Sequence, residues 1–528
     1  MQKDKSLKEF RYGEDELTIG IALNLARGLQ KGIFTASVRA KVQKNREVVE
    51  KIVHKQKRVY GINTGFGPLC TTLIGENDTK RLQYNLLMSH SVGVGNPIDK
   101  EIACLMMILK VHALCKAYSG IAVETIDRIL WHIENDIIPC VPEQGSVGAS
   151  GDLAPLSHLF LPLIGMGKVF YRNQLKPMSE VLQLLNMQPV DLGPKEGLAL
   201  INGTQFMSAH AVQLLEKFQN CLDHADIIAA MNHEAMMGSV KCFDEELHSL
   251  RPYSGSIYVA KRMRTLLHHS EIVKSHRNCL RVQDPYSLRC IPQVHGASRN
   301  AWLHLKETIL IEINSVTDNP IIFSEDKTVN GGHFHGQPIA MPIDYAGLAA
   351  AELGNIADRR IYLSMMETVP GLPKLLMQHT GLNSGFMILQ YTTAALVSEN
   401  KTQCFPASAD SIPTSLGQED HVSMGSIGVR KSLRIVNNLE KILAIELLTA
   451  AQGFDFRKPL KSGVLIEEAH NLIREQITFA DTDRVFSDDI EKAIELIQSK
   501  KIISYLHQVS KKHHIDFKNE DHELFGIY

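Results

Sequence analysis

Along most of this chain the apolar residues recur at helical rather than strand spacing. The pattern predicts helices over 79–95, 100–135, 153–167, 196–238, 292–316, 340–368, 383–401 and 426–452. The last carries Ile435, Leu439, Ile442 and Leu443 on one stripe, and Glu446 follows on it, read as a polar residue paired inside a bundle. The 79–95 pattern breaks at Gly93, Gly95 and Pro97, and 100–135 has a fault at Ser119-Gly120. Residues 1–60 read as short helices. Strand signals are scarce: 169–171 and 174–175, joined through Arg172-Asn173, predict a short hairpin, and 321–323 another extended piece. Breaks near 370–373 and 405–417 read as ordered loops, and no repeat interrupts the chain. The fold expected is mainly α, a bundle of long central helices with a small irregular N-terminal region that holds a catalytic loop. The divisions expected are an N-terminal part to residue 200, a helical bundle over 201–510, and a tail over 511–528 in which Lys511 to His514 are solvated.

Composition narrows the function more than the fold. With 528 residues and 44% hydrophobic content there is ample material for a large core. A net charge of −2 with interspersed signs gives no electrostatic case for nucleic acid or an anionic membrane. Nine scattered cysteines without a C-x-x-C pair, several in apolar helical patterns, suit reduced thiols in a cytoplasmic protein. Met1 to Glu16 is charged and does not read as a signal peptide, and no run reaches the length of a membrane span.

The candidate chemistry centres on Gly145 to His158, Gly-Ser-Val-Gly-Ala-Ser-Gly-Asp-Leu-Ala-Pro-Leu-Ser-His. Gly148 and Gly151 bracket Ala149-Ser150, and Asp152 opens an apolar run as a helix N-cap would. In a tight turn the amide nitrogen of Gly151 can reach the carbonyl carbon of Ala149. Ring closure with loss of water gives an imidazolone, and loss of the Ser150 hydroxyl as a second water leaves an electrophilic methylidene. Other segments are ambiguous alone. Asn202-Gly203-Thr204 places a glycine inside an apolar helix, where close approach of a ligand and close helix packing are both reasons for it. His233-Glu234-Ala235-Met236-Met237 lacks the second histidine of a zinc helix, and His333-Phe334-His335 has no further ligands nearby, so no metal is expected. Gln283 to Cys290 places Arg289 three residues after Tyr286, and a guanidinium fork suits a carboxylate. Gln418-Glu419-Asp420-His421 concentrates acids and an imidazole.

Together these segments resemble the aromatic amino acid ammonia-lyases, and among them the members that act on histidine. The resemblance covers roughly residues 15–500 and includes Tyr60 to Gly67, Ala149 to His158, Asn202 to Thr204, Gln283 to Cys290, Asn383 to Met387 and Gln418 to Met424, in matching order. It implies a fumarase/aspartase-like fold and a cytoplasmic homotetramer whose active sites draw on three subunits. It implies a 4-methylidene-imidazol-5-one (MIO) group formed autocatalytically from Ala149-Ser150-Gly151. The reaction implied is non-oxidative loss of ammonia from L-histidine to give trans-urocanate, as in histidine degradation. The roles implied are Tyr60 as the base for the β-proton, with its pKa lowered by its surroundings, and Asn202 on the amine and the ring oxygen. Arg289 would clamp the carboxylate with Tyr286, Gln283 would support the site and Phe334 would wall the aromatic slot.

Ring selectivity is implied at Ser89-His90 and at Glu419, whose carboxylate suits an imidazole N–H. His333, Gly417 and Gln337 depart from residues common in relatives and put ring selectivity in question more than the elimination. A tyrosine ammonia-lyase, a 2,3-aminomutase on the same electrophile and a non-catalytic helical scaffold are the competing readings.

Overall fold

The structure is a computed structural model, and it describes residues 8–55, 58–71, 74–277, 281–517 and 524–528. The elements used below are helices α1 (Glu76–His90), α2 (Lys100–Leu114), α3 (Leu153–Phe160), α4 (Glu196–Ile201), α5 (Gln205–Ala235), α6 (Ile291–Ile313), α7 (Gln337–Ser364) and α8 (Gly425–Asp455). Strands β1 (Val94–Pro97) and β2 (Pro142–Gln144) pair antiparallel.

The bundle is built on α5. All of its 31 residues except Gln213 and Lys217 are buried, so it is a helix wrapped on every side rather than an amphipathic one. The long helices α6, α7 and α8 pack around it, and α7 and α8 lie against each other along much of their length. Glu446 is paired inside the bundle, as its stripe position predicts: Arg360 grips it with Nε and, at 3.1 Å, with Nη2. That pair belongs to a longer buried chain of charges. Asp226 accepts from His295 at 2.8 Å, Arg299 at 2.7 Å and Arg262 at 3.0 Å, and Arg360 Nη1 lies 3.2 Å from His295 Nε2. The guanidiniums hold the Asp226 carboxyl far below the usual carboxylate range. Such a network adds little net stability over an apolar core, but removing one member strands the others.

Three helical boundaries differ from the pattern. The 196–238 run is two helices, α4 and α5, because Asn202 is extended and Gly203 has φ +139°. The 79–95 helix stops at His90, and Val94–Pro97 leaves it to pair with Pro142–Gln144. The 153–167 helix ends at Phe160, and Leu161–Ile164 continues as a tight turn around Pro162. Near the N-terminus Ala36–His54 is a 19-residue helix, longer than the short helices expected there. The hairpin is present as Lys168–Tyr171 with Gln174–Pro177, and Arg172 and Asn173 both take positive φ, as a two-residue turn of this hand requires. Ile321–Ile322 pairs with Thr328–Val329. Lys511 to His514 are exposed, while Phe525 and Ile527 pack into the core, with Ile527 accepting from Gly20 at 2.8 Å.

Burial leaves a pH signature. His112, His132, His210, His224, His233 and His295 are each pushed down to about 4 by loss of solvent. An unfolded histidine titrates near 6.5, so below that value the unfolded chain binds the extra protons. Stability is full above about 6.5 and is lost as pH falls toward about 4, by up to ~1.4 kcal/mol per pH unit per histidine. Asp152 and Glu234, pushed up to about 7 by burial, act in the opposite sense but are outnumbered, six groups to two. Glu312 and Glu446 lean with the two acids. The thermal midpoint, followed by circular dichroism, is therefore expected to fall by on the order of 5–10 °C between roughly pH 7.5 and pH 5. A flat midpoint across that range contradicts the assignment.

Candidate active site

The Ala149-Ser150-Gly151 turn is clamped between the starts of α5 and α8. Gly151, at φ +70°, forms a backbone bridge with Gly203, and Asp152 N donates to Gly203 O at 2.8 Å. A Cβ on Gly151 would overlap the Gly203 carbonyl and amide, so the two backbones meet at a distance only glycine permits. The glycine at 203 has its own reasons: its φ of +139° is one that side chains rarely adopt, and a Cβ there would meet Gln205 Oε1 and Thr317 Oγ1. On the other side Met424 N donates to Val147 O at 2.9 Å, Ser423 Oγ to Gly148 O at 2.9 Å and Ser426 Oγ to Ser146 O at 2.5 Å.

Asp152 stands at the N-cap position of α3 but does not cap that helix. Its buried carboxyl turns to α5, accepting from Met207 N at 3.1 Å, and also takes the Ser146 hydroxyl at 2.8 Å. The residue thus serves the first turn of the longer helix, where unsatisfied N–H groups and the helix dipole favour a carboxylate. Burial outweighs these contacts and raises its pKa to about 7.

Four more of the residues singled out in the sequence converge on this turn. Asn202 Nδ2 donates to Ser150 O at 2.8 Å, while its buried Oδ1 has no partner among the described residues. Ser150 Oγ donates to Glu419 Oε1 at 2.5 Å. The other oxygen of Glu419 accepts from Thr414 Oγ1 at 2.8 Å. Glu419 is close enough to Tyr60 and to His90 to bias both: it opposes the lowering of His90 by burial, and adds to the raising of Tyr60. Ser89 Oγ lies 3.0 Å from His90 Nδ1 at the end of α1. The Phe334 loop joins from the same chain through Gly336 N, which donates to Gly148 O at 3.3 Å. His335 Nε2 contacts His421 O at 3.2 Å. Among the described residues no group of three His, Cys, Asp or Glu is placed to hold a metal ion.

One expectation needs correction. The Tyr60 phenol is raised by burial rather than lowered; only the Gly67 N–H, 3.3 Å from its oxygen, pulls the other way. Gln283, Tyr286 and Arg289 do not join the turn within one chain. Arg289 Nη2 donates to Gln283 Oε1 at 2.8 Å, and its guanidinium lies 4.7 Å from the centre of the Tyr286 ring, which is 71% exposed. Their segment is anchored to the far end of α5. Asp284 accepts from Ser239 N at 2.6 Å, and Arg281 donates to Met236 O at 3.0 Å. Asn202 lies three residues before the start of α5, whose 31 residues span about 45 Å. The two groups of polar residues therefore occupy opposite ends of one helix.

Sequence reasoning missed Thr414, and also Lys110, whose Nζ donates to Asn202 O at 2.7 Å and Ala199 O at 3.0 Å. A signal for Lys110 was present: it is a single charge inside the apolar run Met106-Met107-Ile108-Leu109-Lys110-Val111. Thr414 had none, since a loop threonine is unremarked in sequence.

The family model for aromatic amino acid lyases matches residues 17–475. The histidine ammonia-lyase of Alkaliphilus oremlandii is 43% identical over 94% of this chain and 98% of its own. The human histidine ammonia-lyase is 44% identical over 92% of this chain and 75% of its own. Among solved structures, the histidine ammonia-lyase of Trypanosoma cruzi superposes with a TM-score of 0.89 at 38% identity, covering 99% of this chain and 98% of that one. The tyrosine aminomutase of Streptomyces globisporus gives 0.90 at 33%, covering 95% and 99%. The fold is the fumarase/aspartase-like helical fold expected from the motifs, and this chain belongs to the aromatic amino acid lyase family.

Proposed function

We propose that this chain removes ammonia from L-histidine without oxidation, giving trans-urocanate, and that its electrophile is an MIO group made from Ala149, Ser150 and Gly151. The observation that carries the reading is the Glu419 carboxylate bonded to Ser150 Oγ at 2.5 Å, with the His90 imidazole and the Tyr60 phenol both within its electrostatic reach. The residues present fit the group. Closure between Gly151 N and Ala149 C leaves the Ser150 carbonyl as the ring oxygen, and that oxygen already accepts from Asn202 Nδ2 at 2.8 Å. The Asn202 Oδ1, without a partner among the described residues, is an acceptor beside the turn for a guest amine. When formed, the group supplies an electrophile that no side chain provides.

The elimination breaks one Cβ–H and the Cα–N bond and forms a carbon–carbon double bond, so it needs a base, an amine site and a carboxylate clamp. Tyr60 is the base; the field that brings its phenol down toward working pH comes from outside the single chain, which by itself raises it. Asn202 Oδ1 accepts from the amine. Glu419 and His90 read the imidazole, and Thr414 fixes the Glu419 carboxylate. Phe334 walls the slot. Arg289 and Tyr286, with Gln283 beside them, hold the carboxylate from a neighbouring chain, because in their own chain they lie at the other end of α5. The oligomer proposed is a homotetramer with shared sites, supported by the apolar side chains that α7 leaves exposed, Met341, Tyr345, Leu348 and Tyr362. A cytoplasmic setting is supported by the eight cysteines among the described residues, all of them free.

Incubation with L-histidine, L-tyrosine and L-phenylalanine separately, followed by product ultraviolet absorbance, is expected to give urocanate from histidine and little from the others. Coumarate would assign the chain to tyrosine instead, and a β-amino acid product would make it a mutase, the reading that its likeness to the Streptomyces aminomutase favours. The intact mass is expected to be short by two waters. Glu419→Gln should keep that mass and lower kcat/KM for L-histidine by about 100-fold or more; full activity would remove Glu419 from the mechanism. Tyr60→Phe and Arg289→Met should each be inactive, yet regain a measurable fraction of activity when co-expressed, since hybrid oligomers contain some sites with both residues intact. No recovery on mixing would mean that the sites are not shared.

A further inference from the structure

Lys110 sits in the middle of α2 at 1% exposure, between buried Leu109 and Val111. Burying an ammonium is costly, and burial brings this one down to about 7. Among the described residues it makes no ion pair to offset that cost. The carboxylate whose field most favours its charge, Asp318, is bonded to Lys195 at 2.8 Å and to Ser119 at 3.0 Å. Lys110 spends its donors on two carbonyls at the end of α4, Asn202 O at 2.7 Å and Ala199 O at 3.0 Å. Those carbonyls follow from the break in the helix: the last turn of α4 has no following turn to bond. The next carbonyl along, Gly203 O, is held from the other side by Asp152 N at 2.8 Å. Two successive carbonyls are thus held by two different elements, Asn202 O by Lys110 on α2 and Gly203 O by Asp152 at the head of α3, and the Asn202 side-chain amide beside them donates to Ser150 O.

We infer that Lys110 is a positioning residue for the elimination, fixing the Asn202 backbone so that the Asn202 amide holds the Ser150 turn and presents its free oxygen to the amine. The inference rests on the proposed lyase reading. A methionine would fill the same space and cost less to bury, but it would leave the Asn202 and Ala199 carbonyls unmet. Misplacing a reacting group by an ångström costs up to about 100-fold in rate.

The test is a double-mutant cycle in the full-length enzyme with L-histidine as substrate. Lys110→Met is expected to lower kcat by about 10–100-fold with little change in KM, since ring and carboxylate contacts lie elsewhere. In an Asn202→Ala background the same substitution should cost almost nothing, because the residue it acts through is gone. Equal losses in both backgrounds, or wild-type kcat in Lys110→Met, overturn the inference. If Lys110→Met does not fold, Lys110→Gln, which retains a donor, must show the same dependence on Asn202. Failure of both variants to form the wild-type oligomer would show that the two hydrogen bonds serve folding alone, and would also overturn it. Absence of ammonia release by the wild-type enzyme would instead overturn the lyase reading, so the two failures are distinct.

Discussion

The structure depends on one close approach, the backbone of Gly151 against the backbone of Gly203. Neither residue has a Cβ, and a Cβ on Gly151 would collide with the opposing peptide. The contact joins the Ser150 turn to the place where α4 gives way to α5. A helix broken at that point exposes carbonyls and amides that must be met. The chain meets them with Lys110 from one side and Asp152 from the other. The cost of the break is thereby turned into rigidity at the residue that faces the turn, Asn202.

The same economy of buried polar groups runs through the bundle. Helices as fully buried as α5 usually carry apolar side chains only, yet this one carries Asp223 and Asp226 against Arg262 and Arg299. Through His295 and Arg360 the network reaches Glu446 on α8. Apolar stripes can slide by a turn at small cost, whereas this set of paired charges is satisfied in one register only. Register matters because α5 and α8 together carry the two walls of the Ser150 turn.

Placing Asn202 and Arg289 near opposite ends of a 31-residue helix has a consequence for assembly. A rigid rod of that length cannot bring its two ends to one small molecule. The proposed site needs both ends, and chains set side by side in opposite directions would supply them, making catalysis and association a single property. The exposed apolar residues of α7 are then surface awaiting a neighbour rather than a defect of the core.

The sequence by itself determined the helical bundle, the paired Glu446, the hairpin at Arg172-Asn173 and the small-residue turn, because periodicity, turn propensity and side-chain size are local properties. Motif likeness also picked out Tyr60, His90, Asn202 and Glu419, which the fold gathers. Only the tertiary structure decided that 196–238 is two helices, since the pull of Gly151 on Gly203 acts across some fifty residues of chain and leaves no periodic trace. It also decided that Asp152 caps α5 instead of its own helix, that the Tyr60 phenol is raised in a lone chain, and that Arg289 stands far from Ser150. Those outcomes depend on what surrounds a group after folding, and desolvation and distance are not written in the order of residues.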